Sequence, residues 1–179
     1  MGEGLFDRIA KDRAALLSRW FDAAVEAYAP DTASFLKDRS DPFANPVGSR
    51  TRRGLETLFD QLVGGMDPEA VSRGLDPILR VRAVQNLSPA RAVGFVFALK
   101  RILLERFEGS ASTEDRRQIS ELHERIDRLA LAAFDLYMAC REQVMELKAN
   151  EMRLRTFRAF QRAGLVRPEH EQPSSEAEE

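Results

Sequence analysis

Along this chain apolar residues recur at steps of three and four, the interval that stacks side chains on one face of an α-helix. The first such stretch runs from about Leu5 to Tyr28. Leu5, Ile9, Leu16, Trp20, Ala24 and Tyr28 stand in line, and Phe6, Leu17, Phe21 and Val25 broaden the face. Pro30 is expected to stop this helix, leaving a short turn over Ala33 to Lys37. A second stretch carries Val47, Leu55, Leu58, Phe59 and Leu62 and closes at Gly64-Gly65. Residues 89–107, PARAVGFVFALKRILLERF, are apolar on nearly every side through Val93, Phe95, Val96, Phe97, Leu99, Ile102 and Leu103. They predict the most buried helix, too short and too charged at its end to span a bilayer. The fold class is all-α.

A small polar residue followed by proline marks four helix starts: Asn45-Pro46, Asp67-Pro68, Asp76-Pro77 and Ser88-Pro89. In each, a side-chain oxygen can accept from an orphan backbone N–H at the N-cap, and proline occupies N1, where its missing N–H costs nothing. Gly74 is expected to end the short piece that begins at Pro68. The stretch DRSDPFANPVGSR, residues 38–50, then reads as a structural corner built from Asp41, Pro42, Phe43, Asn45 and Pro46. Pro42 holds Asp41 extended, Phe43 serves as an apolar plug, and Asn45 hydrogen-bonds the backbone that follows. No general base accompanies Asn45, so the corner is not catalytic.

Ser112 and Asp115 have the spacing of a capping box, with Asp in place of Glu. No Pro or Gly follows until Gly164, which predicts one long helix over about 113–164. Some 50 residues of helix span about 75 Å, so part of it must project from the domain or bend. Within it Ile119, Leu122, Ile126, Leu129, Ala133, Leu136 and Cys140 alternate steps of three and four, a heptad seam that packs helix on helix as core or as a dimer interface. Phe134, Tyr137, Met138 and Val144 form a second stripe, to be covered by the same domain or by a second chain. Gln143 and Asn150 continue the seam, where polar residues set register or mark its end. Beyond them Met145, Met152, Leu154, Phe157 and Phe160 would be exposed without a partner surface. Residues 165–179 are polar and acidic and are expected to be disordered, leaving 1–164 as the helical domain.

Composition narrows the function more than it suggests one. A chain of 179 residues with 44% apolar content is about one domain. Lys plus Arg number 27 against 29 Asp plus Glu, a formal charge of −2, so no basic field would gather nucleic acid. Charges interrupt every apolar run near the N-terminus, so neither a secretory signal nor a membrane span can be drawn, and a cytoplasmic location is expected. Gly2 raises myristoylation, but Phe6 stands where that pattern needs Ser or Thr. Cys140 is alone, so no disulfide closes within the chain, and its helical spacing reads as a small buried hydrophobe.

Chemistry that makes or breaks bonds finds no motif. No Gly-rich phosphate loop, HExxH, GxSxG or EF-hand loop occurs. His123 and His170 stand far apart, and Glu121-Leu122-His123-Glu124 lies beside the seam, reading as a solvated helix face before a metal site. For haem, His123 is the candidate axial donor, with Met66, Met138, Met145 and Cys140 as remote substitutes. Arg50, Arg52 and Arg53 form the densest basic cluster, an anion site at a helix start or a solvated face. No catalytic residue, cofactor or metal ligand is assigned.

Several segments resemble one family. SRWFDAAVEAYAPDTASFLK, DPFANPVGSRTRRGLETLFDQL, MDPEAV, ILRVRAVQNLSPARAVGFVFALK and LALAAFDLYMACREQVMELKANE are similar to the N-terminal domain of the RsbT co-antagonist proteins, the RsbR and RsbRD group, over roughly residues 5–155. DPFANPVG with the RGL that follows is the most specific part. The resemblance implies a globin-like helical fold without haem, dimerisation through the C-terminal helix, and a sensory role in stressosome-type or kinase-linked signalling. Full-length co-antagonists continue into a STAS domain that binds the kinase, whereas this chain looks like a stand-alone form of the module.

Three function classes are thereby set against one another. The first is a non-enzymatic homodimeric sensor that passes a signal through its long helix to a separate protein partner, a signalling kinase or STAS protein. A ligand would then lie among Trp20, Phe95, Phe97, Phe134 and Tyr137. The second is a ligand-free adaptor docking on a cytoplasmic enzyme or redox complex through the helix end. The third is a haem or metal protein, which absorbance and metal analysis would expose.

Overall fold

The computed structural model describes residues 4–38, 44–107, 109 and 112–165. Among them are seven α-helices and no strand: α1 (Leu5–Lys11), α2 (Arg13–Val25), α3 (Pro30–Lys37), α4 (Pro46–Val63), α5 (Pro68–Val84), α6 (Pro89–Phe107) and α7 (Thr113–Arg162). The chain divides into two compact units, residues 1–141 and 142–179. Residues 166–179, with His170 and nearly all of the acidic tail, lie outside the described residues, as do Asp41, Pro42 and Phe43 of the corner.

The first unit has a contiguous apolar core drawn from every helix. Trp20 of α2 is fully buried, stacks on Phe95 of α6 with centroids 6.2 Å apart, and donates its indole N–H to the Phe95 carbonyl at 2.8 Å. Apolar burial at about 25 cal/mol per Å² is the main stabilising term, and buried aromatic pairs add to it. The first predicted helix is two helices. Asp12 breaks the chain between α1 and α2 with φ −88° and ψ 4°, and Arg106 pairs with its carboxylate at 2.7 Å. Pro30 does not simply end a helix; it opens α3 at the N1 position, where its fixed φ suits a helix start, so the turn expected at Ala33 to Lys37 is helical.

Asn45-Pro46, Asp67-Pro68 and Ser88-Pro89 open α4, α5 and α6. Asp76-Pro77 does not open a helix: Pro77 lies inside α5, and Gly74 does not end it. The reason is the crossing of α4 over α5. A Cβ on Gly54 would come within 2.5 Å of the Gly74 carbonyl oxygen, and a Cβ on Gly74 within 2.9 Å of Leu58. The two glycines let the helix backbones touch, and that packing offsets the propensity lost to Gly and Pro within α5.

Asn45, almost fully buried, joins two helices. Its Oδ1 accepts from the Gly48 N–H at 2.9 Å, capping α4, while Nδ2 donates to the carbonyls of Phe35, Leu36 and Asp38 at 2.9–3.0 Å, closing α3. Gly48 permits this approach, because a Cβ there would lie 2.5 Å from Asn45 Nδ2. At the start of α7, Ser112 and Asp115 bond reciprocally. The Asp115 N–H donates to Ser112 Oγ at 3.1 Å and the Ser112 N–H to the Asp115 carboxylate at 2.9 Å. Arg8 pairs with that carboxylate at 2.9 Å, tying α1 to the start of α7.

Helix C-termini leave carbonyls without partners, and in the first unit arginines from neighbouring helices supply donors. Arg82 donates to Ala24 near the end of α2, Arg52 to Lys37 of α3 at 3.0 Å, Arg125 to Leu62 of α4 at 2.9 Å and Arg141 to Ala83 of α5 at 3.1 Å. Arg52 also stacks over the Phe21 ring at 3.6 Å, so one member of the basic cluster is committed to structure.

In the second unit α7 continues to Arg162. Gly164, with φ 71°, ends it, and the Leu165 N–H reaches back to the Phe160 carbonyl at 3.0 Å. Apart from half-buried Val144, every residue from Glu142 to Leu165 is exposed.

Candidate interaction surface

An open apolar face on the first unit lies between α6 and α7. Pro89, Ala90, Val93, Gly94 and Phe97 line it from α6, and Asp127, Ala130, Leu131 and Phe134 from α7. The groove holds about 690 Å³. Phe97, Leu131 and Phe134 are 49, 67 and 45% exposed, a clustering of large apolar side chains that water does not favour and that marks contact sites. Helical spacing puts Val93 and Phe97 one turn apart on α6, and Leu131 and Phe134 one turn apart on α7. At one edge Lys100 pairs with Asp127 at 2.7 Å, so the only charged lining residue is already neutralised.

The five aromatic positions suggested for a ligand pocket do not meet in one cavity. Trp20 and Phe95 fill each other's space in the core. Tyr137 is fully buried and donates its hydroxyl to the Leu87 carbonyl. Phe97 and Phe134 line the open groove instead. The heptad seam is also divided from the expectation of a second chain. Ile119, Leu122, Ile126 and Leu129 are buried in the chain's own core, with Leu136 half-buried, because the 3–4 stripe up to Cys140 is the face α7 turns toward the rest of its unit.

Sequence reasoning passed over Leu131 and Arg82. Leu131 stands just beyond the second stripe, on the side away from the seam and one turn before Phe134. Arg82 interrupts the apolar face of α5, at helical spacing from Ile78 and Leu79, and that break was the available signal. Its side chain is fully buried, donates to Ala92 and Ala24 carbonyls at 2.5 and 2.6 Å, and lies 4.5 Å from the Phe95 ring centre. Burial lowers its pKa from the ordinary arginine value, and Tyr28 opposes that. Carbonyl dipoles and aromatic faces there take the place of a carboxylate.

Titratable groups with chemical potential are muted. Burial pushes the Cys140 thiol up, which suppresses the thiolate that nucleophilic attack requires. Burial lowers the His123 pKa, nearby Lys100 lowers it further, and Asp127 opposes both. His123 Nε2 is enclosed and lacks a hydrogen-bond partner. Among the described residues no group of three or more His, Cys, Asp or Glu could hold a metal ion, and no helix is long and apolar enough to cross a membrane.

The first unit is a packed helical domain that carries an open apolar groove. The chain belongs to the family described as the RsbT co-antagonist protein rsbRD N-terminal domain, whose model matches residues 14–152. It is therefore a regulatory signalling domain of the stressosome-related kind. No curated protein and no solved structure matches the chain.

Proposed function

We propose that the protein is a non-enzymatic sensory module, with the globin-like arrangement its family resemblance implies, that acts in the cytoplasm as a homodimer. It relays a signal through α7 to a separate protein, a signalling kinase or a STAS protein. The observation that supports this reading most is the groove of Phe97, Leu131 and Phe134, an apolar surface facing outward from a domain whose own core is filled. Two copies meeting through it would pack α6 and α7 against their counterparts and remove those side chains from water. The seam of Ile119, Leu122, Ile126 and Leu129 then holds α7 to its own domain, so that a shift at the groove moves the helix as a body. A ligand in this reading enters the same groove, against Phe97 and Phe134.

The adaptor reading, docking on an enzyme or redox complex without a ligand, draws on a different observation, the exposed Met145, Met152, Leu154, Phe157 and Phe160. Sedimentation equilibrium separates the two. The wild type is expected to be a dimer and Leu131→Glu a monomer with unchanged circular dichroism. A Leu131→Glu protein that stays dimeric removes the groove from self-association, and a monomeric wild type favours the adaptor.

A further inference from the structure

The last three turns of α7 carry a pattern that the groove does not use. From Met152 to Arg162 the sequence is MRLRTFRAFQR, with four arginines and no acidic residue. Met152, Leu154, Phe157 and Phe160 within it are all exposed. At 3.6 residues per turn Lys148, Arg155 and Arg162 fall on one line at seven-residue steps, with Arg158 beside them. Phe157 and Phe160 lie on the opposite side, while Met152 and Ala159 flank the basic line on one edge and Leu154 on the other. Among the described ion pairs, the one on the basic line is Arg155 with Glu151, at 3.9 Å between exposed side chains, which screens little of its charge.

We infer that this segment binds the surface of an anionic lipid bilayer, lying in the headgroup layer with its apolar side down. A basic helix with phenylalanine on the other face and leucine at its edge has the composition such interfacial helices require. Eleven residues extend about 16 Å, far short of a span, so the contact is with the surface. Arg153 decides between lipid and a folded partner. It lies on the apolar side, one turn from Phe157, where a protein groove would need a buried carboxylate to meet it. In a headgroup layer its stem lies along the acyl boundary while the guanidinium reaches up to phosphates. A pair of copies sharing Met145, Ala149, Met152, Thr156 and Ala159 as a seam would leave Leu154 and Phe157 uncovered.

The test is co-sedimentation of the full chain with phosphatidylcholine vesicles, with and without phosphatidylglycerol. Binding is expected only with phosphatidylglycerol and should fall as salt rises. Reversing Arg155, Arg158 and Arg162 to Glu should weaken it by more than about a hundredfold, at about 1 kcal/mol per basic residue. Phe157→Ser with Phe160→Ser should also abolish retention, while the thermal unfolding of both variants matches the wild type. The inference is overturned by absence of binding to phosphatidylglycerol vesicles or by binding indifferent to the charge reversal. It is equally overturned if the protein is retained on polyglutamate and not on vesicles, or if the phenylalanine variant lowers the oligomer mass and leaves lipid binding intact.

Discussion

Helix α7 is two regions under one periodicity. Up to Cys140 its 3–4 stripe is buried except for half-buried Leu136, with Ile126 and Leu129 fully enclosed; past Glu142 the same spacing runs on through Leu147, Leu154 and Phe157, all exposed. The difference teaches that a heptad pattern specifies a face and not its occupant. In the first region the occupant is the chain's own core, anchored at the rim by Arg125 on the Leu62 carbonyl and Arg141 on the Ala83 carbonyl. In the second the face is open to water.

Paired substitutions break that comparison most forcefully. Leu129→Asp places a charge in a dry core and should cost more than about 4 kcal/mol, enough to unfold the first unit. Leu154→Asp, at a residue 56% exposed, should change stability by less than about 0.5 kcal/mol. Urea unfolding followed by circular dichroism measures both, and equal effects would mean that the two regions are packed alike.

A smaller effect sharpens the picture of how the body is held. Asn45→Ala removes the N-cap of α4 and leaves the carbonyls closing α3 without their donor, at about 1–2 kcal/mol by the same unfolding measurement. Smallest is the pH response. His123 is held neutral in the folded chain, below its ordinary value of 6.5, mainly by burial and then by Lys100. The unfolded chain takes up a proton there first as pH falls, so its contribution to stability is present above about 6.5 and is lost on acidification, until the folded group titrates as well. His123→Gln should flatten the stability curve between neutral and mildly acid pH; an unaltered slope would show that the imidazole is solvated.

Where the determinants are local, the chain was readable. Asn45-Pro46, Asp67-Pro68, Ser88-Pro89 and the Ser112–Asp115 box all lie within four residues of the helix ends they define. Pro77 and Gly74 misled because proline serves at a start and, less often, inside a helix, and the glycine answers to Gly54, twenty residues away. The groove was half legible: Phe97 and Phe134 were singled out, but their separation from Trp20, Phe95 and Tyr137 follows from side-chain directions that spacing alone leaves open. The arginines that close neighbouring helices depend wholly on tertiary proximity, and only Arg82, breaking an apolar face, carried a mark in the sequence.

Amide hydrogen exchange along α7 in the full chain tests the division most directly. The account predicts strong protection from Ile119 to Cys140 and rapid exchange from Met145 to Arg162. Uniform protection across both stretches, in protein without lipid or partner, would contradict it.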